Sequence, residues 1–434
     1  ESLSMKHVPD WNFGRGGIVD NAELRRSNKA ALLRLVLRTG QSTRQELIDQ
    51  TRLSKATVSR LVRELVEEGT LIEAARTEGA DGRRSTQVLT FQGQLGLVCG
   101  IDMGGTTTRF VLADYGCGLV DAWRKPTPTE AGARELAGWI ASEIHARATT
   151  HPAGEPTVTT VGVPGSVDPR TSAIRNAEHL PGIAGDAFVS ELAARLSGGL
   201  RVDNDSNLAL VGEMSVGEAR RASDVVMITI GTGVGAGVAL GGTLRTGQHG
   251  LVGEIGLLPV DLKGTTFESV VKGAALSAAA FELTGVAERP SSVLEASSDG
   301  PLGVIQERVR RSLVNACTAL AVLYEPEIIV IGGGLARALK RHLSAVEAAI
   351  GRLLRPVPRL ATSELGDAAG AVGATALSLQ TAYELLGAGR SVVSELGSHP
   401  ALQVLSKAVS AMYERDQACH MAVGNTFSAG AARS

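Results

Sequence analysis

Three glycine-rich turns, each leaving an apolar strand, are the segments of this chain best suited to hold a phosphate. The first, Asp102-Met-Gly104-Gly105-Thr106-Thr107-Thr108, follows the strand-like run Leu97–Ile101 and leads into a second strand, Arg109–Asp114. The next, Gly231-Thr232-Gly233-Val-Gly235-Ala-Gly237, lies between Val225–Ile230 and Val238–Leu240. The third, Gly332-Gly333-Gly334-Leu335, follows Ile328–Ile331. A hairpin turn of Gly and Thr offers backbone N–H and hydroxyl donors to a phosphate. Glycine after a buried strand lets a flat ligand such as adenosine approach the backbone closely. Asp102 is placed to hold Mg²⁺ through water, because Mg²⁺ takes few carboxylates and keeps a water shell. A single glycine turn is most often only a tight turn. Two related hairpins and a glycine triplet in this order imply two similar α/β lobes with a nucleotide between them.

Two further segments face the same expected cleft. Val161-Gly-Val-Pro-Gly165-Ser-Val-Asp168 reads as a strand leaving through a turn. Val202-Asp-Asn204-Asp205-Ser-Asn207 reads as a short strand breaking into a polar loop that starts a helix. An Asn–Asp pair can fork onto neighbouring sugar hydroxyls, and an Asp there can take the proton of a hydroxyl attacking a γ-phosphate. Taken alone, the segment reads better as an Asx-rich turn and helix cap.

The elements ahead of this region have a different character. Leu24, Asn28, Ala31, Leu32, Leu35 and Val36 follow helical spacing up to Gly40. Thr43-Arg-Gln-Glu46 is a capping box that opens a second helix. Ser54 caps a third, whose inward stripe is Val58, Leu61, Val62, Leu65 and Val66, and Gly69 ends it. The other face carries Ser54, Lys55, Thr57, Ser59, Arg60 and Arg63, the short polar and cationic groups with which a recognition helix reaches base edges and phosphates. Leu71-Ile72 and Val88–Phe91 read as two strands around Gly79-Ala-Asp-Gly-Arg83-Arg84, a wing whose arginines suit a minor groove. The helix spacing, the basic face and the Arg-tipped wing together indicate double-stranded DNA as a partner. Each of these features alone would fit a small protein-interaction domain.

Charge distribution agrees. The net charge of the 434-residue chain is −2. Residues 1–95 sum to +3 and the remainder to −5, and between Leu24 and Arg63 the only acids are Glu46 and Asp49. Aromatic residues make up 3%, too few for a single-strand stacking platform. Cys99, Cys117, Cys317 and Cys419 are widely separated, which excludes a CxxC-type clip and suggests reduced thiols of a cytoplasmic protein. Val225–Leu244 carries no charge and is long enough for a membrane span, but its six glycines favour strand–turn–strand. Ala401–Met412 has helical character, and Asn425–Ser434 reads as disordered.

With these residues in view, the chain resembles the ROK family of repressors, open reading frames and sugar kinases, from about Leu24 to Gly373. The carrying motifs are Asp102-Met-Gly-Gly-Thr106, Asn204-Asp205, Gly231-Thr-Gly-Val-Gly-Ala-Gly237 and Gly253-Glu254-Ile-Gly256. The resemblance implies an α/β multidomain chain: an N-terminal winged helix-turn-helix (20–93) followed by a two-lobe actin-like (ribonuclease H-like) sugar-kinase fold. Its lobes would be 96–220, completed by a helix near 367–386, and 221–366, with an extension at 387–434. It places Gly165, Asn204, Asp205, Glu254 and Glu268 on sugar-contacting positions. Asp205 falls on the catalytic base, should transfer activity be retained. Asp102, Gly104, Gly105, Thr106, Gly231, Thr232, Gly233, Gly235, Gly333 and Gly334 fall on the nucleotide site. The expected function is a DNA-binding transcription regulator, a repressor of carbohydrate genes, sensing a sugar or phosphosugar as a homodimer or higher oligomer. The alternative is an ATP-dependent sugar kinase with an attached DNA-binding domain. No cofactor is required for the first role, while ATP with Mg²⁺ remains compatible.

One departure stands out. The family usually continues Gly-Glu-Ile-Gly-His into a cysteine-rich zinc loop, whereas here Gly253-Glu254-Ile-Gly256 is followed by Leu257 and a loop without cysteine up to Glu268. Leucine neither binds metal nor donates a hydrogen bond, so no structural zinc is expected and the sugar site loses a polar contact. The change weighs more against kinase activity than against ligand binding.

Overall fold

The computed structural model describes residues 21–76, 86–389 and 400–413. The N-terminal module runs α1 (Asn21–Thr39), β1 (Gln41–Thr43), α2 (Arg44–Thr51), α3 (Lys55–Glu67), β2 (Leu71–Arg76) and β3 (Thr86–Phe91). Local chemistry sets its boundaries. Gly40 turns the chain at φ +76° after α1. Thr43 accepts a hydrogen bond from the Glu46 N–H while the Glu46 carboxylate accepts one from the Thr43 N–H, a complete capping box. Ser54 accepts from the Thr57 N–H at the start of α3. Val58, Leu61, Val62 and Leu65 bury the inward face of α3. The sheet order is β1-β3-β2, one strand more than the two expected. The extra strand, β1, pairs Gln41–Thr43 with Val88–Thr90. Arg83 and Arg84 lie outside the described residues, as do Cys419 and Asn425–Ser434.

The rest of the chain contains one topology used twice. Lobe 1 consists of β4 (Leu97–Met103), β5 (Thr107–Asp114), β6 (Leu119–Pro126), α4 (Ala133–Ala148), β7 (Val158–Val163), β8 (Ser166–Val167), β9 (Ile174–Arg175), α5 (Ala187–Ala193), β10 (Gly199–Asn204) and α6 (Asp205–Val216). Lobe 2 consists of β11 (Val225–Ile230), β12 (Val234–Leu240), β13 (Thr243–Leu244), α7 (Phe267–Val271), α8 (Gly273–Thr284), α9 (Pro290–Glu295), α10 (Gly303–Tyr324), β14 (Ile328–Gly332), α11 (Ala336–Leu339), α12 (Leu343–Ile350) and β15 (Arg359–Thr362). The chain continues as α13 (Ala369–Leu385) and α14 (400–413). The sheets are ordered β6-β5-β4-β7-β10 and β13-β12-β11-β14-β15. In each, three strands form an antiparallel meander and the next two add in parallel on the side of the first.

Helices α6 and α13 fill the space between the sheets. They approach backbone to backbone: a Cβ on Gly373 would lie 1.8 Å from the Leu208 carbonyl oxygen, and one on Gly212 would lie 2.4 Å from that of Ala369. The run Ala369-Gly-Ala-Val-Gly-Ala-Thr-Ala376 is therefore small for a steric reason.

The same core extends into the N-terminal module, joining Leu32, Leu35 and Val36 of α1 with Leu377 and Tyr383 of α13 and with Leu402 and Leu405 of α14. Phe91 meets Tyr383 edge to face at 5.7 Å, and Arg34 donates to the Ala388 carbonyl at 2.7 Å. None of the described helices is long and apolar enough to cross a membrane, and Val225–Leu244 forms the β11–β12–β13 meander.

Candidate ligand cleft and DNA-reading face

A cleft of about 920 Å³ opens between the lobes. All the residues expected at the sugar and nucleotide positions line it, from Asp102 and Gly104–Thr106 through Gly165, Asn204 and Asp205 to Gly231–Gly233, Gly235, Glu254, Glu268, Gly333 and Gly334. The sheet topology accounts for this convergence. The β4–β5 and β11–β12 turns lie at equivalent ends of the duplicated sheets. The carboxyl ends of β7, β10 and β14 open the same way, where ligands bind in open α/β sheets.

Two details correct the sequence reading of the hairpins. The return strand of the second begins at Val234, so Gly235 and Gly237 are strand residues. Their lack of a side chain admits α6: a Cβ on Gly235 would lie 2.6 Å from Ser206 Oγ, and one on Gly237 would lie 2.8 Å from the Ser206 carbonyl. In addition, the Gly104 N–H donates to the Thr107 carbonyl and the Gly231 N–H to the Gly233 carbonyl, so both are engaged within their turns. Among the described backbone bonds, Gly105 and Thr106 in one hairpin and Thr232 and Gly233 in the other donate to no turn partner.

Where β10 meets α6 in the cleft, Asn204 caps α6 by accepting from the Ser206 and Asn207 N–H groups, and its amide donates to the Gly165 carbonyl at 3.0 Å. Gly165 needs its glycine: φ is +132°, and a Cβ would lie 2.6 Å from the Arg175 carbonyl. Asp205 Oδ1 accepts from the Ser206 N–H at 2.7 Å. Burial, then the negative charges of Asp102 and Glu254, push the Asp205 carboxyl up to about 7. Burial, followed by the charge of Glu268, raises Glu254. One Glu268 oxygen accepts from the Val234 N–H at 3.1 Å and the other from Lys272 Nζ at 3.1 Å. Leu257 lines the cleft and is 67% exposed. The loop after it is closed by its own bonds. Val260 N–H donates to the Thr265 carbonyl, and Asp261 Oδ1 accepts from the Lys263 and Thr265 N–H groups.

Several cleft residues went unrecognised in the sequence. Asn176, Glu178 and His179 reach it from the turn after β9. The polar run before Pro181-Gly182 was their only signal. His179 stands between the hairpins: its Cβ lies 3.2 Å from the Cβ position of Gly105, and its Nε2 lies 3.3 Å from that of Gly233. Arg109 places one nitrogen 3.8 Å from Asp102 and donates to Asp367 at 2.9 Å, while its buried Nε has no hydrogen-bond partner. Burial raises the Asp102 carboxyl, and Arg109 opposes that rise. The glycine cradle and the hairpin donors fit a nucleotide's phosphates. At Asp102, a hydrated Mg²⁺ would compete with Arg109 for the carboxylate. Among the described residues, no group of three or more His, Cys, Asp or Glu is arranged to hold a metal ion.

The DNA-reading candidate is α3. Several basic residues of the module are engaged internally. Arg25 pairs with Glu64, Lys29 with Glu68, and Arg44 with both oxygens of Glu73 at 2.8 Å, while Arg38 donates to Gln50. Lys55, Arg60 and Arg63 are exposed and enter none of these pairs. Thr57 and Ser59 are half-buried, and the Ser54 and Thr57 hydroxyls bond each other at 2.9 Å, fixing the helix start.

Comparison with known proteins follows the same division of the chain. The ROK family profile matches residues 98–381, and a winged helix-turn-helix DNA-binding profile matches residues 25–72. The DNA-binding transcriptional dual regulator NagC of Escherichia coli (strain K12) is 26% identical over 389 residues, covering 83% of this chain and 94% of that protein. The crystal structure of a ROK family transcriptional regulator, described as a homologue of the E. coli MLC protein, superposes with a TM-score of 0.70 at 22% identity, covering 84% of this chain and 99% of that one. A ROK glucokinase from Streptomyces griseus, crystallised with glucose and AMPPNP, superposes with a TM-score of 0.55 at 25% identity, covering 65% and 99%.

Proposed function

Given that this chain belongs to the ROK family and carries a winged helix-turn-helix ahead of the family fold, we propose that it is a DNA-binding transcription regulator, a repressor of carbohydrate-utilisation genes, whose kinase-like lobes sense a sugar. The observation that carries this reading is the exposed Lys55, Arg60 and Arg63 on α3, which enter none of the module's salt bridges among the described residues. Its partner is a double-stranded operator. A homodimer would set two such helices on two half-sites. The expected location is the cytoplasm, where the operator is.

Gly165, Asn204, Asp205, Glu254 and Glu268 would hold the sugar, and the two hairpins with Gly333 and Gly334 would hold a nucleotide where one binds. Helix α13 links the two functions. Ala369 and Gly370 line the cleft at its first turn, and Tyr383 in its last turns and Ala388 just beyond it meet the DNA module. A sugar that binds one lobe arrangement more tightly than another would move the α3 helices through it. Selection of bound fragments from random DNA by the full-length protein tests the reading. Enrichment of a two-fold symmetric site supports it, and recovery of unenriched sequence contradicts it.

One observation favours the kinase alternative. Asp205, poised near 7, suits a general base at neutral pH. Sugar-dependent ADP release abolished by Asp205→Asn would establish that activity.

A further inference from the structure

A second cavity, of about 310 Å³, lies where the N-terminal module meets the lobes. Arg34, Leu35, Arg38 and Leu53 line it from the module, and Leu379 of α13 and Leu402 of α14 line it from the other side. It shares no lining residue with the interlobe cleft. We propose that this cavity is a ligand site of its own and takes a small organic acid with an apolar body. The proposal goes beyond the sugar-sensor reading and stands whether or not that reading holds.

The first ground is charge. The lining carries Arg34 and Arg38 and, among the described residues, no Asp or Glu. Arg34 donates to the Ala388 carbonyl at 2.7 Å and Arg38 to the Gln50 amide oxygen at 3.0 Å, both neutral acceptors. Neither enters an ion pair among the described residues, in contrast to Arg25, Lys29 and Arg44 of the same module. The two guanidiniums stand one helical turn apart on α1, a spacing at which like charges repel. A carboxylate between them relieves that repulsion and matches the planar fork of an arginine.

The second ground is the character and size of the remaining walls. Leu35, Leu53, Leu379 and Leu402 present carbon. Two hydroxyls among them are already committed: Tyr383 donates to the Tyr115 carbonyl at 2.6 Å and Thr51 to the Leu47 carbonyl at 2.5 Å. A polyol would give up its water here without regaining partners, whereas an alkyl or aryl chain is stabilised by burial. The cavity volume lies at the small end of the range of about 300–1,000 Å³ that suits small-molecule ligands.

Calorimetric titration of the DNA-free full-length protein with hexanoate, octanoate and phenylbutyrate, each beside its primary alcohol, tests the proposal. At least one acid should bind, more tightly than its alcohol by about tenfold or more. Arg38→Glu, at an exposed position, should remove that preference. Ala31→Trp, which sets an indole into the cavity, should abolish binding of acid and alcohol alike. Thermal midpoints show which variants fold, and where Ala31→Trp does not, Arg38→Glu decides alone. No binding by any acid, equal binding of acid and alcohol, a preference that survives Arg38→Glu, or binding that survives in folded Ala31→Trp overturns the proposal.

Discussion

Helix α3 and the interlobe cleft are the two polar surfaces on which function is proposed, and they are opposite in charge and in construction. Helix α3 is assembled from one local segment, with a capped start and an exposed basic face whose Lys55, Arg60 and Arg63 enter none of the salt bridges among the described residues. The cleft gathers residues from Asp102 to Gly370, and its charges are mostly carboxylates. The first surface suits a polyanion and the second a polyol. Between them runs a single packed core that includes residues of α1, α13 and α14.

The comparison can be broken on either side. The largest effect is expected from Lys55→Glu with Arg60→Glu on α3. DNA affinity should fall by about 1,000-fold, or about 4 kcal/mol, in a fluorescence anisotropy titration. Sugar binding should be unchanged in the same protein, and a parallel loss there would show that the surfaces are not separable.

Next comes the link between them. Gly373→Val sets a side chain against the Leu208 carbonyl and should cost about 3 kcal/mol or more of stability. A large drop in the thermal midpoint is the expected readout, and an unchanged midpoint would contradict the close α6–α13 approach.

Asp205→Asn sharpens the cleft side. It should lower sugar affinity by about 10- to 100-fold, about 1.4–2.7 kcal/mol, without lowering DNA affinity. Its effect on stability should also depend on pH. The Asp205 carboxyl is raised from 3.8 to about 7, so between those values the unfolded chain releases a proton that the folded chain keeps. Stability is therefore lost as pH rises through that window, and the loss is complete above 7. The variant should be more stable than the parent at pH 8 by on the order of 1 kcal/mol, with the ionisation part of the difference gone by about pH 3, below both values. A difference independent of pH would contradict the burial of that carboxyl.

The smallest expected effect is none. Dialysis against a chelator should leave the thermal midpoint unchanged, because the loop after Leu257 is closed by backbone bonds and by Asp261. Metal analysis returning one zinc per chain would contradict this.

What could be read from the sequence follows the same contrast. The helix starts at Thr43 and Ser54 were readable because a cap is a contact between residues three apart. The paired glycine hairpins were readable because their order repeats, and order is what the duplicated topology preserves. The strand β1 was not, since its partner β3 is more than forty residues away and three residues carry no period of their own. Gly235 and Gly237 were assigned to the turn because a glycine that admits a helix looks the same in sequence as one that admits a phosphate. Arg109 was read only as a strand residue, and its place between Asp102 and Asp367 depends on a partner 258 positions away. His179 lay in a turn with no motif around it.

The most direct test measures operator affinity of the full-length protein by anisotropy, with and without a saturating sugar identified by calorimetry. A change of at least tenfold on adding the sugar, lost in Asp205→Asn, is the predicted result. Tight sugar binding with an operator affinity that does not move would contradict the proposal that the cleft controls α3.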